Sequence, residues 1–245
     1  MLSGMYSAAA GMAAQQQRMD AAANDLANTS TTGYKHVRIA FRDLAYAAAG
    51  HGGTSDVLLG GGAGATAIGR SRSQGALKTT DQPLDVALQG VGYMAVKGRD
   101  GRPAMTRDGE LGTDDKGRLV TANGLLLDPP ISIPAGTAPS DIKIAADGRV
   151  TAAGRPVGAL RLVTVPNPSA LEGGPDNTFL ANAASGAAAA APRTTTVTQG
   201  ALEGSNVDLG QAMVDMMDAQ RGFELASKAI TYQDQLAEIA NGIKR

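Results

Sequence analysis

Both ends of this chain carry apolar residues at alternating intervals of three and four, and that pattern restricts the fold more than any other feature. Near the N-terminus Leu2, Met5, Ala9, Met12, Gln16, Met19, Ala23 and Leu26 share one helical face, broken only by Gln16. Toward the C-terminus Leu209, Met216, Phe223, Ile230 and Ala237 recur every seven residues, with Ala212, Ala219, Ala226, Gln233 and Ala240 in the second seam position. Asn28, Thr29, Ser30, Thr31, Thr32 and Gly33 stop the first helix, since Asn, Ser and Thr compete for backbone hydrogen bonds and glycine accepts a left-handed conformation. Gly204, Ser205, Asn206 and Asp208 offer the second helix an N-cap and an acidic charge at its positive end, and Lys244 and Arg245 stand at the other end. A helix from Asp208 to Gly242 extends about 50 Å at 1.5 Å per residue. Alanine buries little area, and at roughly 25 cal/mol per Å² a seam this small gains little by itself. It needs a partner helix, so the two ends are predicted to pair as a coiled coil.

Between the helices the period changes. The run Gly60-Gly61-Gly62-Ala63-Gly64 lies in a stretch, residues 46–75, that reads as extended or mobile. Further on, the dipeptides Asp100-Gly101, Asp108-Gly109, Asn123-Gly124 and Asp147-Gly148 read as hairpin turns. Strands are predicted at Val91–Val96, Leu119–Thr121, Leu125–Leu127, Ile142–Ala145 and Leu160–Val165, and Pro129, Pro130, Pro134 and Pro139 confine their surroundings to loops or edges. The expected fold is α+β: a helix and its stop over 1–33, an extended Gly-rich arm over 34–79, a mainly antiparallel β-domain over 80–199 and a helix over 200–245.

The composition excludes several functions. With 22 basic and 23 acidic residues the chain has no bulk attraction for nucleic acid. No window approaches the ~18 apolar residues that a membrane span requires, and no Sec-type signal is visible. Absence of cysteine removes disulfides, thiolate metal sites and a Cys nucleophile. His36 and His51, the two histidines, lack metal-ligand spacing, and no Gly-x-Ser-x-Gly elbow occurs. The glycine run lacks the Gly-Lys-Ser/Thr of a phosphate loop, and Gly90-x-Gly92 lacks a third glycine. No catalytic residue, metal site or cofactor is expected.

Several segments resemble the flagellar hook–basal body rod family. Ala23-Asn24-Asp25-Leu26-Ala27-Asn28 with Thr31-Thr32-Gly33-Tyr34-Lys35 is similar to the family's signature at the end of the first helix, where two Asn in a row are usual. Phe41-Arg42-Asp43-Leu44-Ala45-Tyr46 is similar to the stretch that follows in distal rod proteins. Asp81-Gln82-Pro83-Leu84-Asp85-Val86-Ala87-Leu88-Gln89-Gly90-Val91-Gly92-Tyr93 resembles the entry to the β-domain, and Thr106-Arg107-Asp108-Gly109 is a further match. Gly200-Ala201-Leu202-Glu203-Gly204-Ser205-Asn206-Val207-Asp208 and Gln220-Arg221-Gly222-Phe223-Glu224 complete the pattern. Two positions depart from it. Ala212 stands where Glu is frequent, and Gly222 where Ala is usual, a mid-helix glycine that costs about 1 kcal/mol.

The resemblance implies a non-enzymatic axial protein, exported by the flagellar type III apparatus, whose termini order on assembly into a helical tube that carries torque and passes exported subunits. It implies contacts with other copies, with other rod and hook subunits, with bushing rings and with the export apparatus. The assembly residues it marks, together with the helix seams, are Leu2, Met5, Met12, Met19, Asn24, Leu26, Asn28, Gly33, Leu209, Met213, Met216, Gln220, Arg221, Phe223 and Ile230. A distal rod subunit fits better than the neighbouring, shorter rod subunit. A rival of another class is a secreted β-domain with ligand-binding or hydrolytic activity, which requires a polar pocket with a nucleophile or metal constellation in residues 80–195.

Overall fold

The computed structural model describes residues 2–44, 47–49 and 57–243. His51, the Ala45-Tyr46 end of the distal-rod-like segment, and the Lys244-Arg245 pair lie outside the described residues. The chain divides into two compact units, one formed by residues 1–27, 37–68 and 208–245 and the other by 28–36 and 69–207.

In the first unit a helix α1, Leu2–Ala27, packs along a second helix α2, Leu209–Ile243. The sequence-predicted cap of α2 is present: Asp208 accepts a hydrogen bond from the Gln211 backbone N–H at 3.0 Å through its side chain and one from Ala212 at 2.9 Å through its carbonyl. The helices run antiparallel, as three contacts show. Gly4 faces Gln233, Gln15 faces Gly222, and Arg18 pairs with Asp215 at 2.7 Å. On α2 the buried and half-buried positions include Ala212, Met216, Ala219, Phe223, Ala226, Ile230, Gln233 and Ala237, the expected alternation of four and three. Leu209 and Ala240, which the same pattern includes, are exposed. Leu209 sits in the first turn of α2, where the antiparallel α1 reaches its own end.

On α1 the packed face differs from the predicted one. Ala9, Gln16 and Ala23 are exposed, whereas Gly4, Ala8, Gly11, Gln15, Arg18 and Ala22 are buried or half-buried. Met5, Met12 and Met19 stay half-buried, so the packed face is rotated toward positions whose small residues leave room for α2, as Gly4 does for Gln233. Residues 34–79, read as one extended arm, carry strands instead. Val37–Asp43 pairs with Ala63–Arg70, and Ala47–Ala49 pairs antiparallel with Val57–Leu59. The Gly-rich run is part of this packing: a Cβ on Gly62 would stand 2.8 Å from the Ser7 carbonyl oxygen of α1.

The second unit is built on antiparallel strands. Tyr93–Lys97 is its central member, pairing with Pro103–Thr106 on one side and with Leu126–Leu127 and Leu162–Thr164 on the other. Alternate side chains of a strand point to opposite faces, and here both faces are buried. Met94 and Val96 join a core with Val86, Leu88, Leu119, Ile131 and Val150. Tyr93 and Ala95 join another with Met105, Val163, Leu171 and Phe179. A separate sheet of Ile142–Ile144, Arg149–Ala152 and Arg155–Ala159 adds to the first core. Two outer pairs, Val86–Gln89 with Thr196–Gln199 and Leu77–Thr79 with Ala201–Glu203, bring the early and late segments of this unit together.

The turns at Asp100-Gly101, Asn123-Gly124 and Asp147-Gly148 close hairpins, with each glycine at positive φ. Asp108-Gly109 does not. Residues 104–109 are all buried, the strands on either side of this segment do not pair with each other, and a Cβ on Gly109 would stand 1.6 Å from the Val86 carbonyl oxygen. Close approach to another strand, and no left-handed turn, is the reason for glycine there.

Candidate functional site

Four of the segments quoted above meet around one buried carboxylate. Glu203, at the end of the strand Ala201–Glu203, has a fully buried side chain. Its Oε1 accepts from Lys35 Nζ and from the Gly75 N–H at 2.9 Å, and its Oε2 accepts from Arg107 Nη1 at 2.7 Å. Lys35 and Arg107 are themselves almost wholly buried. A charge in such a place is tolerated only when it is paired and hydrogen-bonded throughout, and these three are. Arg107 also donates to the carbonyls of Gly92 at 2.9 Å and Gly90, and Lys35 donates to the Ser73 carbonyl at 2.7 Å.

The backbone is drawn into the same cluster. The Gly33 N–H donates to the Glu203 carbonyl at 2.7 Å. Gly33 has φ +66° and lies so close to Arg107 that a Cβ would stand 2.5 Å from its carbonyl carbon, so both conformation and space require glycine. Thr32 donates to Asp108 at 2.7 Å, Asn177 donates to the Thr32 carbonyl at 2.7 Å, and Asn206 accepts from the His36 N–H at 2.8 Å. Burial lowers the Lys35 pKa from its ordinary value, against the opposing effect of its hydrogen bond to Glu203. Burial likewise raises Asp108, against the bond from Thr32, and raises the Tyr93 phenol. The Arg107 guanidinium lies 5.6 Å from the Tyr93 ring centroid. The cluster holds no nucleophile–base pair, and its chemistry is that of a clamp.

A second feature lies on α2. Leu225, Ala229, Tyr232, Leu236 and Ile239 follow one another at intervals of four, three, four and three, and all are exposed. The large members are 66%, 64%, 60% and 60% exposed. The helix thus carries two heptad stripes, of which α1 covers one.

Three family models match the chain: one described as flagella basal body rod protein over residues 5–35, one as the D1 domain of flagellar hook protein FlgE/F/G over 87–152, and one as flagellar basal body rod FlgEFG protein C-terminal over 198–243. A flagellar basal-body rod protein FlgG of Caulobacter vibrioides is 38% identical over 98% of both chains. The chain belongs to the flagellar basal-body rod family. Another FlgG, from Bacillus subtilis, is 33% identical over 100% of both chains, and a FlgF of Escherichia coli is 34% identical over 89% of each. The family is structural, of the flagellar basal body, and its members are not enzymes. Each matched region supplies one member of the buried cluster: Lys35 from the first, Arg107 from the second and Glu203 from the third.

The residues marked from the sequence fall in different places. Met5, Met12, Met19 and Leu26 are half-buried along one border of α1, and Asn24 is exposed. Asn28 accepts from the Thr31 hydroxyl at 3.0 Å, within the turn that follows α1. Gly33 belongs to the cluster. Met216, Phe223 and Ile230 are half-buried on the α1-facing stripe of α2, while Leu209, Met213, Gln220 and Arg221 are exposed. The Leu2 side chain lies outside the described residues. Lys35, Arg107 and Glu203 went unmarked, although each sits inside a quoted motif. Two basic residues and one acidic residue in otherwise small-residue motifs were the available signal. The exposed stripe on α2 was also legible as a second heptad.

Proposed function

We propose that this rod-family chain is a distal-type subunit whose paired terminal helices pack into a helical tube. The observation that carries this reading is the exposed stripe Leu225–Ala229–Tyr232–Leu236–Ile239. Four large apolar side chains at heptad spacing form a seam suited to a helix of a neighbouring subunit. With α1 on one stripe and a neighbour on the other, α2 takes part in two coiled-coil seams. Contacts of this kind, repeated without closing into a ring, build a filament. Met213, Gln220 and Arg221, exposed on α2, are assigned to the same intersubunit contacts, as is Leu209.

The mechanism is mechanical. Paired helices repeated on a lattice resist twist and so carry torque, and a bore lined by small side chains lets exported subunits pass. The Ala- and Gly-rich seam between α1 and α2 buries little, which favours ordering of the termini on assembly and accords with export as an unfolded chain. End-to-end similarity to FlgG proteins, against 89% coverage for the FlgF relative, supports the distal position over the neighbouring one. Other rod and hook subunits, the bushing rings and the export apparatus are the partners this position implies.

The test is complementation of a strain lacking this gene. Leu236→Glu, placed in the exposed seam, should give exported but unassembled protein, rods truncated before the hook, and no swimming. Ser227→Glu, at an exposed polar position on the same helix, should swim. Normal rods with Leu236→Glu would overturn the proposed role of the stripe.

A further inference from the structure

Beside the buried cluster lies a cavity of about 280 Å³ lined by Lys35, Arg72, Val91, Gly92, Tyr93, Arg107 and Pro168. Its charge is unbalanced. Lys35, Arg72 and Arg107 bring three cations to a lining that contains no carboxylate, and Glu203, the carboxylate that Lys35 and Arg107 share, has both oxygens already occupied by the contacts described. Arg107 has its donors directed at Glu203, Gly90 and Gly92, so it contributes field more than contact. Lys35 Nζ donates to Glu203 and Ser73 and carries a third proton. Among the described residues Arg72 forms no ion pair and the Tyr93 hydroxyl no hydrogen bond. Val91, at the rim, is 59% exposed although it is a large apolar residue.

We propose that this cavity receives a carboxylate side chain, Asp or Glu, from a second copy of the chain. The volume falls at or below the ~300–1,000 Å³ typical of small-molecule sites, which suits one side chain better than a free ligand. Val91, Pro168 and the Tyr93 ring offer apolar walls for a methylene stem. Arg72, the spare Lys35 proton and the Tyr93 hydroxyl offer donors for the head. An incoming carboxylate would also offset the desolvation of the Lys35 ammonium. A chain with 23 acidic residues has carboxylates to donate. The inference rests on the rod reading, because it requires copies to lie side by side.

The test places the photoreactive residue p-benzoylphenylalanine at Val91 of the full-length chain in the deletion strain, and analyses cross-linked peptides from isolated hook–basal bodies. The expected adduct joins position 91 to a peptide of a second copy that contains Asp or Glu. Arg72→Glu should cut its yield at least fivefold, and Arg72→Lys should keep it. Basal bodies that contain the chain without this adduct, or with an adduct to a different protein, overturn the cavity proposal alone. Basal bodies that exclude the unlabelled wild-type chain overturn the rod reading as well. If the label itself blocks incorporation, the Gly92 amide resonance of the full-length chain, titrated with N-acetylglutamate, decides instead. A saturable shift abolished by Arg72→Glu supports the site, and no shift, or a response to inorganic phosphate alone, overturns it.

Discussion

The side chain of Gln15 occupies the space that a methyl group on Gly222 would take. A Cβ there would stand 2.8 Å from Gln15 Cδ, and Gln15 Oε1 is buried without a hydrogen-bond partner. The other end of the helix pair repeats this relationship in reverse, with Gln233 over Gly4 and Gln233 Oε1 also buried and unpaired. Each helix therefore contributes one glutamine and receives one on a glycine, which fixes the antiparallel register.

A mid-helix glycine costs about 1 kcal/mol relative to alanine, so Gly222→Ala would stabilise an isolated helix. In this pair it should destabilise, by about 1 kcal/mol or more, because Gln15 must move. Adding Gln15→Ala removes both the collision and the orphaned oxygen. The double variant should be at least as stable as the parent, giving strong non-additivity in a double-mutant cycle. Denaturant unfolding of the four proteins measures it. Additive effects would mean that the two residues do not meet.

The buried cluster gives a ranking of variants. Glu203→Gln leaves two buried cations facing a neutral amide and should cost about 3–5 kcal/mol, the usual consequence of removing one partner of a buried pair. Lys35→Met keeps a stem of similar length, leaves the Arg107–Glu203 pair intact at 2.7 Å, and removes an ammonium that burial already disfavours. It should cost less, with the lost bond to the Ser73 carbonyl as the main term. Thermal melts of the three proteins check the order. Equal losses would show that Lys35 holds the cluster as much as Glu203 does, and a larger loss for Lys35→Met would make Lys35 the anchor.

How much of this was legible in sequence depends on the range of the interaction. The heptad of α2, the Asp208 cap and three of the four Asp-Gly or Asn-Gly turns depend on residues within a few positions of one another, and the structure has them as expected. The packed face of α1 is rotated from the heptad, leaving Ala9, Gln16 and Ala23 exposed, because the seam follows contacts with the distant α2, such as Gln233 over Gly4, that spacing within α1 does not reveal. Asp108-Gly109 has the composition of a turn, and only its contact with Val86, far away in sequence, makes it a buried crossing. The cluster was hidden for the same reason. Lys35, Arg107 and Glu203 are separated by most of the chain, and pattern alone does not show that their segments converge.

Asp108 gives the fold a pH dependence with a definite sign. Its carboxyl is buried, accepts from Thr32 Oγ1 at 2.7 Å and from the Glu110 N–H at 3.2 Å, and also senses the Asp85 carboxylate. Burial is the largest influence, so the folded pKa lies above the ordinary 3.8. Between 3.8 and that raised value the folded state binds more protons than the unfolded state, so this group lowers stability as pH rises through the window and relieves that cost as pH falls. Asp108→Asn keeps a carbonyl oxygen for both donors and removes the titration. The stability of the variant relative to the parent should rise in its favour as pH increases from 3.8 through the folded pKa, then level off. Urea unfolding of both proteins from pH 4 to pH 8 measures the difference. A flat difference would mean that the folded state prefers neither form, and one that shifts toward the parent with rising pH would mean that it prefers the charged carboxylate.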